Sequence, residues 1–207
     1  MGRLVSVSRW PVSLQVVDGL RPHLVLRPLH RRDQAAWETL RRDNAAYLSR
    51  WEPTPPDGVA PRTGYGGYLR ALNRDARAGN IVPFVVEVDG DLAGQVHLFG
   101  VMRGSLLSGA AGYWVGQRFA GQGVATRALA ALVDYALGPL GLHRVEVNVR
   151  PENEASLAVV AHLRLREEGV RERYLHIEGQ WRDHRTFAIT AEELAGQATI
   201  QRWRPPS

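Results

Sequence analysis

Residues Gly112 to Thr126 read Gly-Tyr-Trp-Val-Gly-Gln-Arg-Phe-Ala-Gly-Gln-Gly-Val-Ala-Thr, and this run obliges a strand to turn into a helix within a few residues. Gly109 to Val115 has the composition of a strand. Val124 to Leu137 is rich in alanine and leucine, carries Ala128, Leu129, Leu132, Val133 and Ala136 on one helical stripe, and stops at Gly138-Pro139. Between the two, Gly121 and Gly123 let the backbone come close to a ligand and present its N–H groups. The helix start adds the positive end of its dipole, so the unit makes an anion site suited to a pyrophosphate. A bulky side chain at Gly123 is expected to block that approach. Taken alone, the glycine pair reads more often as a simple turn before a helix.

The rest of the chain surrounds this unit with mixed elements. Leu24 to Pro28 reads as a strand ended by proline. Asp33 offers an N-cap for a helix over Gln34 to Leu40. Trp51 to Pro61, with four prolines and one glycine, is a loop, and a helix is predicted from Thr63 or Gly64 to Ala78. Ile81 to Val88 and Leu92 to Phe99 flank Asp89-Gly90-Asp91, the pattern of a hairpin. Leu142 to Val149 alternates as a strand, and Asn153 can cap a helix over Glu154 to Leu163. Short strands are expected at Tyr174 to Ile177 and Arg185 to Ile189, with a tail beyond Glu193 that is helical and then frayed over 193–207. The order predicts a single α/β domain (α+β mixed) over 1–207.

Composition removes several chemistries. The 207 residues contain no cysteine, which excludes disulfides, thiolate metal sites and a cysteine nucleophile. All 26 basic residues are arginine, so no lysine base or Schiff base is available. The histidines lack ligand spacing, so no metal is expected. The net charge of +5 attracts anions, a phosphorylated cofactor or RNA among them, and allows weak RNA contact. No apolar run is long enough for a membrane span and no signal-like cleavage pattern follows the first residues, which points to a cytoplasmic protein with no membrane association. Nothing in the sequence sets an oligomeric state.

A chain without lysine has no Walker loop, and position 126 is threonine where a Rossmann fingerprint needs its third glycine. The loop instead resembles that of the GCN5-related N-acetyltransferase superfamily, a strand, an R/Q-x-x-G-x-G/A loop and a helix. The preferred register runs Ala120-Gly121-Gln122-Gly123-Val124-Ala125, with alanine in the Arg/Gln position; a register starting at Arg118 also fits. Asn153-Glu154-Ala155-Ser156 resembles the family's N-x-A-S element, although the Leu-Gly-Phe ending is replaced by Leu163-Arg164-Leu165. Leu26-Arg27-Pro28, Trp51-Glu52-Pro53, Tyr174-Leu175 and Gly179 to His184 resemble the ribosomal-protein-alanine N-acetyltransferase (RimJ/RimL-like) group, so that the likeness spans 24–189.

The resemblance implies one acetyltransferase domain, a central, mostly antiparallel sheet splayed at the cofactor site and flanked by helices. It implies acetyl-CoA as donor, without a metal, and a protein or peptide N-terminus as acceptor, ribosomal proteins included. It places the cofactor on Ala120, Gly121, Gln122, Gly123, Val124, Ala125, Thr126, Asn153 and Ser156, with the thioester at Trp114 or Val115. Relatives use a tyrosine seven residues after the asparagine as general acid; Val160 stands there, and Ser156 matches the serine that some use instead. Ser156 also reads as an ordinary first-turn serine. A family glutamate before Gly-Tyr is replaced by Ala110 and Ala111. That leaves Glu87, His97, Glu146, His176, Glu178 and Asp183 as candidate bases, Glu146 foremost because it shares a strand face with Asn148. Trp51 to Pro53 and Tyr65 to Tyr68 are candidates to shape an acceptor slot, or simply core residues. The competing functions are an acetyltransferase for small amines and a non-catalytic acyl-CoA- or RNA-binding module.

Overall fold

The computed structural model describes residues 10–58 and 63–203. Eight strands form one sheet: β1 Leu14–Val16, β2 Leu24–Arg27, β3 Val82–Val88, β4 Asp91–Met102, β5 Ser108–Val115, β6 Arg144–Val149, β7 Arg166–Ile177 and β8 Gln180–Thr190. Their order is β1-β2-β3-β4-β5-β6-β8-β7, and every neighbouring pair is antiparallel except β5 and β6. A parallel pair needs a crossover, here the helix α4, Val124–Leu137. The remaining helices are α1 Gln34–Asp43, α2 Ala45–Ser49, α3 Tyr65–Arg77, α5 Glu154–His162 and α6 Ala191–Leu194.

Alternation along the strands feeds two apolar layers. Phe84 and Val86 of β3, Val96 and Leu98 of β4 and Val145 and Val147 of β6 join the main core under α4 and α5. Val85, on the other face of β3, packs with Leu40 of α1 and Tyr65 and Leu69 of α3. The predicted hairpin forms, with Asp89 at φ 47° and Gly90 at φ 93°, the left-handed pair that a two-residue turn between twisted strands requires.

Several features differ from the sequence expectation. The strand β1 was absent from it; its Leu14 and Val16 pack on the core rim. The last two strands are far longer than predicted, because β7 is an edge strand with residues such as Arg166, Glu167 and Glu168 exposed, so no apolar alternation marks it. Asp33 does not cap α1 with its side chain. Its carboxylate takes two hydrogen bonds from Arg27 and one from the His30 N–H. Burial works to raise this carboxyl, but those donors outweigh it and hold it below its ordinary value. The tail, expected to fray, carries a 3-10 turn at Thr199–Arg202 packed along α4, with Thr199 fully buried and its N–H donated to Asp134 Oδ1 at 2.7 Å. Residues 204–207 of that expectation lie outside the described residues, as do 59–61 of the proline-rich loop.

One glycine is dictated by packing. A Cβ on Gly94 would stand 2.1 Å from the Trp114 carbonyl oxygen, on the neighbouring strand. Gly94→Ala is therefore expected to force β4 and β5 apart where β5 enters the loop, and to lower stability by about 1–3 kcal/mol, the range for overpacking. Thermal unfolding checks it; an unchanged midpoint would contradict the close approach.

Candidate active site

The parallel pair β5/β6 is short. Ser108 to Ala111 pair with Arg144 to Val147, and pairing stops there. Beyond that point Gly112 to Val115 pair only with β4, while Asn148 and Val149 pair only with β8. The two strands thus open into a cleft, and the β6-facing edge of β5 at Trp114 and Val115 has no strand partner.

The glycine loop lies at the end of this cleft. Gly116 begins a 3-10 turn over Gln117–Phe119, held by Gln117 N–H donating 2.7 Å to Asn44 Oδ1. The N–H groups of Phe119 and Ala120 are spent on Gly116 and Gln117 carbonyls. From Gly121 through Thr126 no N–H has a protein acceptor among the described residues, and the first bond of α4 runs from Arg127 N–H to the Gly123 carbonyl. Free donors thus begin at Gly121, which fits the register starting at Ala120 and shows that Ala120 itself offers no N–H. Both glycines are left-handed, at φ 74° and 72°, a conformation that costs other residues dearly. A row of unpaired N–H groups at the N-terminus of a fourteen-residue helix is what a pyrophosphate needs.

The surroundings of the two glycines differ. A Cβ on Gly121 would meet nothing within 4 Å, whereas one on Gly123 would lie 2.4 Å from Trp203 Cη2. A side chain at Gly123 therefore strikes the C-terminal tail first, and Gly121 is the position that faces open space.

Asn153 caps α5, its Oδ1 accepting the Ser156 N–H at 3.1 Å. Tyr113, from the splayed part of β5, reaches across so that its hydroxyl donates to the Ser156 carbonyl at 3.4 Å. Burial drives the Tyr113 phenol well above its ordinary pKa, so it stays a donor. The Ser156 hydroxyl has the Tyr113 hydroxyl as its side-chain hydrogen-bond partner, which sets it beside the splayed part of β5. Val160 lies fully buried in the main core.

The structure places Glu146, the foremost candidate base, between two arginines. It lies opposite Ala110, on the paired side of the splay. Arg144 donates to its Oε1 at 3.0 Å and Arg171 to its Oε2 at 2.6 Å, so both oxygens already have guanidinium partners. All but one of the other candidates have polar partners too. Glu87 accepts from Arg27, Asp183 from the Arg173 N–H, and His176 Nδ1 lies 2.9 Å from Thr54 Oγ1. Glu178 lies 3.9 Å from Arg150. His97 is buried, its Nε2 has no partner, and burial lowers its pKa to about 4, which keeps the ring neutral near pH 7.

On the face of β5 opposite α4, Trp114 anchors a polar and aromatic wall. Its indole N–H donates 3.2 Å to Gln95 Oε1, whose Nε2 donates to Tyr68 Oη at 3.2 Å. The Arg41 guanidinium stacks 5.1 Å over the Trp114 ring and forms a bidentate pair with Glu52. Trp51 lies beneath the Arg150 guanidinium at 5.3 Å, and Thr54 ties the loop to β7 through the His176 carbonyl. Glu52 and Tyr68 thus converge beside the cleft, whereas Tyr65 turns away to the His30 carbonyl and the helix core. Arg41 and Gln95 were missed from sequence because each sits singly in an unremarkable helix or strand.

Residues 23–166 match the family model described as the acetyltransferase (GNAT) domain. The chain belongs to the GNAT acetyltransferase family. It is 30% identical over 172 residues to the ribosomal protein uS5-alanine N-acetyltransferase of Escherichia coli (strain K12), covering 82% of this chain and 89% of that protein. Mycobacterium smegmatis RimJ, solved in complex with CoA-disulfide, superposes with a TM-score of 0.85 at 39% identity over 93% of each chain. The ribosomal-protein-S5-alanine acetyltransferase of Vibrio fischeri gives 0.76 at 25% identity, over 88% of this chain and 98% of that one. As a GNAT domain the chain is an acetyl-CoA-dependent N-acetyltransferase, and its open β5/β6 cleft and free N–H row fit that donor.

Proposed function

We propose that this protein acetylates the N-terminal α-amine of a protein, in the cytosol, with a ribosomal protein as acceptor. The observation that carries the reading is the juxtaposition of the unpaired β5 edge, the N–H groups of Gly121 through Thr126, which have no acceptor among the described residues, and the Ser156 hydroxyl beside Tyr113. The kinship with ribosomal-protein alanine acetyltransferases supplies the acceptor class. Among the described residues no helix is long and apolar enough to cross a membrane.

Acetyl-CoA brings the acetyl group as a thioester; the chain supplies position and protons. The loop N–H groups and the dipole of α4 hold the pyrophosphate. The backbone of β5 at Trp114 and Val115 polarises the acetyl carbonyl. The neutral amine nitrogen bonds to the acetyl carbon and the carbon–sulfur bond breaks; the Ser156 hydroxyl donates a proton to the departing sulfur and is restored by the proton the new amide nitrogen gives up. With Glu146 occupied by two arginines, the acceptor's ammonium proton leaves to water. A free α-amine has an ordinary pKa of about 7.7–8.0, so an appreciable part is already neutral. Trp114, Gln95, Tyr68 and Glu52 form the wall along which the peptide lies.

Replacing Ser156 by alanine is expected to lower kcat about 10²-fold, the smaller end of general-acid effects, with the KM for acetyl-CoA unchanged; an unaltered kcat would remove Ser156 from the proton path. The acceptor is tested by CoA release with three amines: a peptide with a free N-terminal alanine, the same peptide Nα-blocked but containing lysine, and a polyamine. Turnover of the first alone supports the proposal. Turnover of the polyamine alone would make the enzyme a small-amine acetyltransferase.

A further inference from the structure

The C-terminal turn reaches the cofactor loop, and nothing in the family resemblance calls for it. After β8, the capped helix α6 ends at Ala195 and Gly196, both left-handed, which turn the chain back. Thr199–Arg202 then lies on α4, pinned by the Thr199 N–H on Asp134 Oδ1 and by Ile200 packed on the core. The Arg202 guanidinium bonds the Glu193 carbonyl and the Arg164 carbonyl, the latter at 3.4 Å. This delivers Trp203 to the start of α4, where its ring edge fills the place a side chain at Gly123 would take, with Cη2 and Cζ2 at 2.4 and 2.8 Å from that Cβ position. Trp203 packs on the main core, and its indole N–H is buried without an acceptor among the described residues. A buried unsatisfied donor is tolerated only where something offsets it.

We propose that Trp203 is a positioning residue of the cofactor site: its ring braces Gly123 so that the loop N–H groups are already aligned before the pyrophosphate arrives. The inference rests on the reading of Gly121 through Thr126 as the CoA pyrophosphate cradle. The loop glycines have the widest backbone freedom of the residues in that cradle, and holding them in the bound shape cuts the ordering cost of binding. A brace acts on the pyrophosphate alone and leaves the acetyl end untouched, which separates it from a general contribution to stability.

The test compares wild type, Trp203→Ala and Trp203→Phe. Calorimetry with CoA is expected to give a Kd about tenfold weaker for Trp203→Ala and near wild type for Trp203→Phe. The KM for acetyl-CoA should rise with it while kcat holds, and the KM for acetyl-pantetheine, which lacks the pyrophosphate, should not move. The indole N–H resonance that disappears in Trp203→Phe should shift when CoA is added to wild type. An unchanged Kd in Trp203→Ala would overturn the brace, as would equal losses with acetyl-CoA and acetyl-pantetheine. Failure of wild type itself to bind CoA would instead overturn the cofactor reading.

Discussion

Gly121→Asp is expected to abolish useful CoA binding, weakening the Kd by about 10²-fold or more while the protein stays folded. A Cβ at Gly121 meets nothing within 4 Å, so the variant has room for its side chain. Aspartate is among the residues that tolerate the left-handed backbone found there at φ 74°. Its carboxylate would lie beside the unpaired N–H groups from Gly121 through Thr126 and take the place of the pyrophosphate. Hydrogen bonds to charged groups contribute about 1.5–3 kcal/mol each, and 1.4 kcal/mol is a factor of ten, so losing two suffices. Gly123→Asp is the less clean choice, because it would strike Trp203. Calorimetry with CoA gives the Kd and circular dichroism the fold. Wild-type affinity in a folded variant would show that the pyrophosphate does not occupy this loop.

The second large effect concerns stability. Arg127 of α4 is almost fully buried and donates to Asp18 at 2.6 and 2.9 Å, to the Pro22 carbonyl at 2.8 Å and to the Leu20 carbonyl at 3.4 Å. It thereby ties the segment ahead of β2 to the helix that starts at the cofactor loop. Removing one partner of a buried ion pair leaves an uncompensated charge, at about 3–5 kcal/mol. Asp18→Ala should therefore lower the melting midpoint by about 6–20 °C for a chain of this size. Burial works to raise the Asp18 carboxyl, but the Arg127 hydrogen bonds and the Leu20 N–H outweigh it, so its pKa lies below the ordinary value. The stability this contributes is complete above about pH 4, the unfolded value, and is lost as pH falls through the lower folded pKa. The gap between wild type and variant should narrow in acid. A replacement of both partners, Asp18→Leu with Arg127→Met, should recover much of the loss. A midpoint unaltered by Asp18→Ala would contradict the reading.

The parts of this molecule that could be read ahead of the structure are those where local chemistry decides geometry. The loop at Gly121 and Gly123, the Asp89-Gly90 turn and the Asn153 cap each depend on residues adjacent in sequence, and each formed as expected. The surroundings of Glu146 were not legible in the sequence, because its partners, Arg144 and Arg171, come together only when β6, β8 and β7 are side by side. Asn148 lies on the same strand face, as periodicity required, but its Oδ1 accepts from Thr186 on β8. Periodicity identifies a face and says nothing about which charges cross it. Asp33 and Trp203 belong to the same class: an N-cap candidate drawn into an ion pair by Arg27, and a tail residue recruited by a glycine eighty positions earlier in the chain. The long β7/β8 hairpin lacked a signal because its outer strand is exposed and charged.

The most direct measurement of the central claim is the location of the acetyl group on an intact acceptor. An uS5-type ribosomal protein carrying a free N-terminal alanine is incubated with this protein and acetyl-CoA, and the product is mapped by tandem mass spectrometry. The account predicts a single acetyl group on the α-nitrogen of the first residue, absent when the same acceptor is incubated with the Gly121→Asp variant. Acetylation confined to lysine side chains, or none at all from an enzyme that binds CoA, would contradict it.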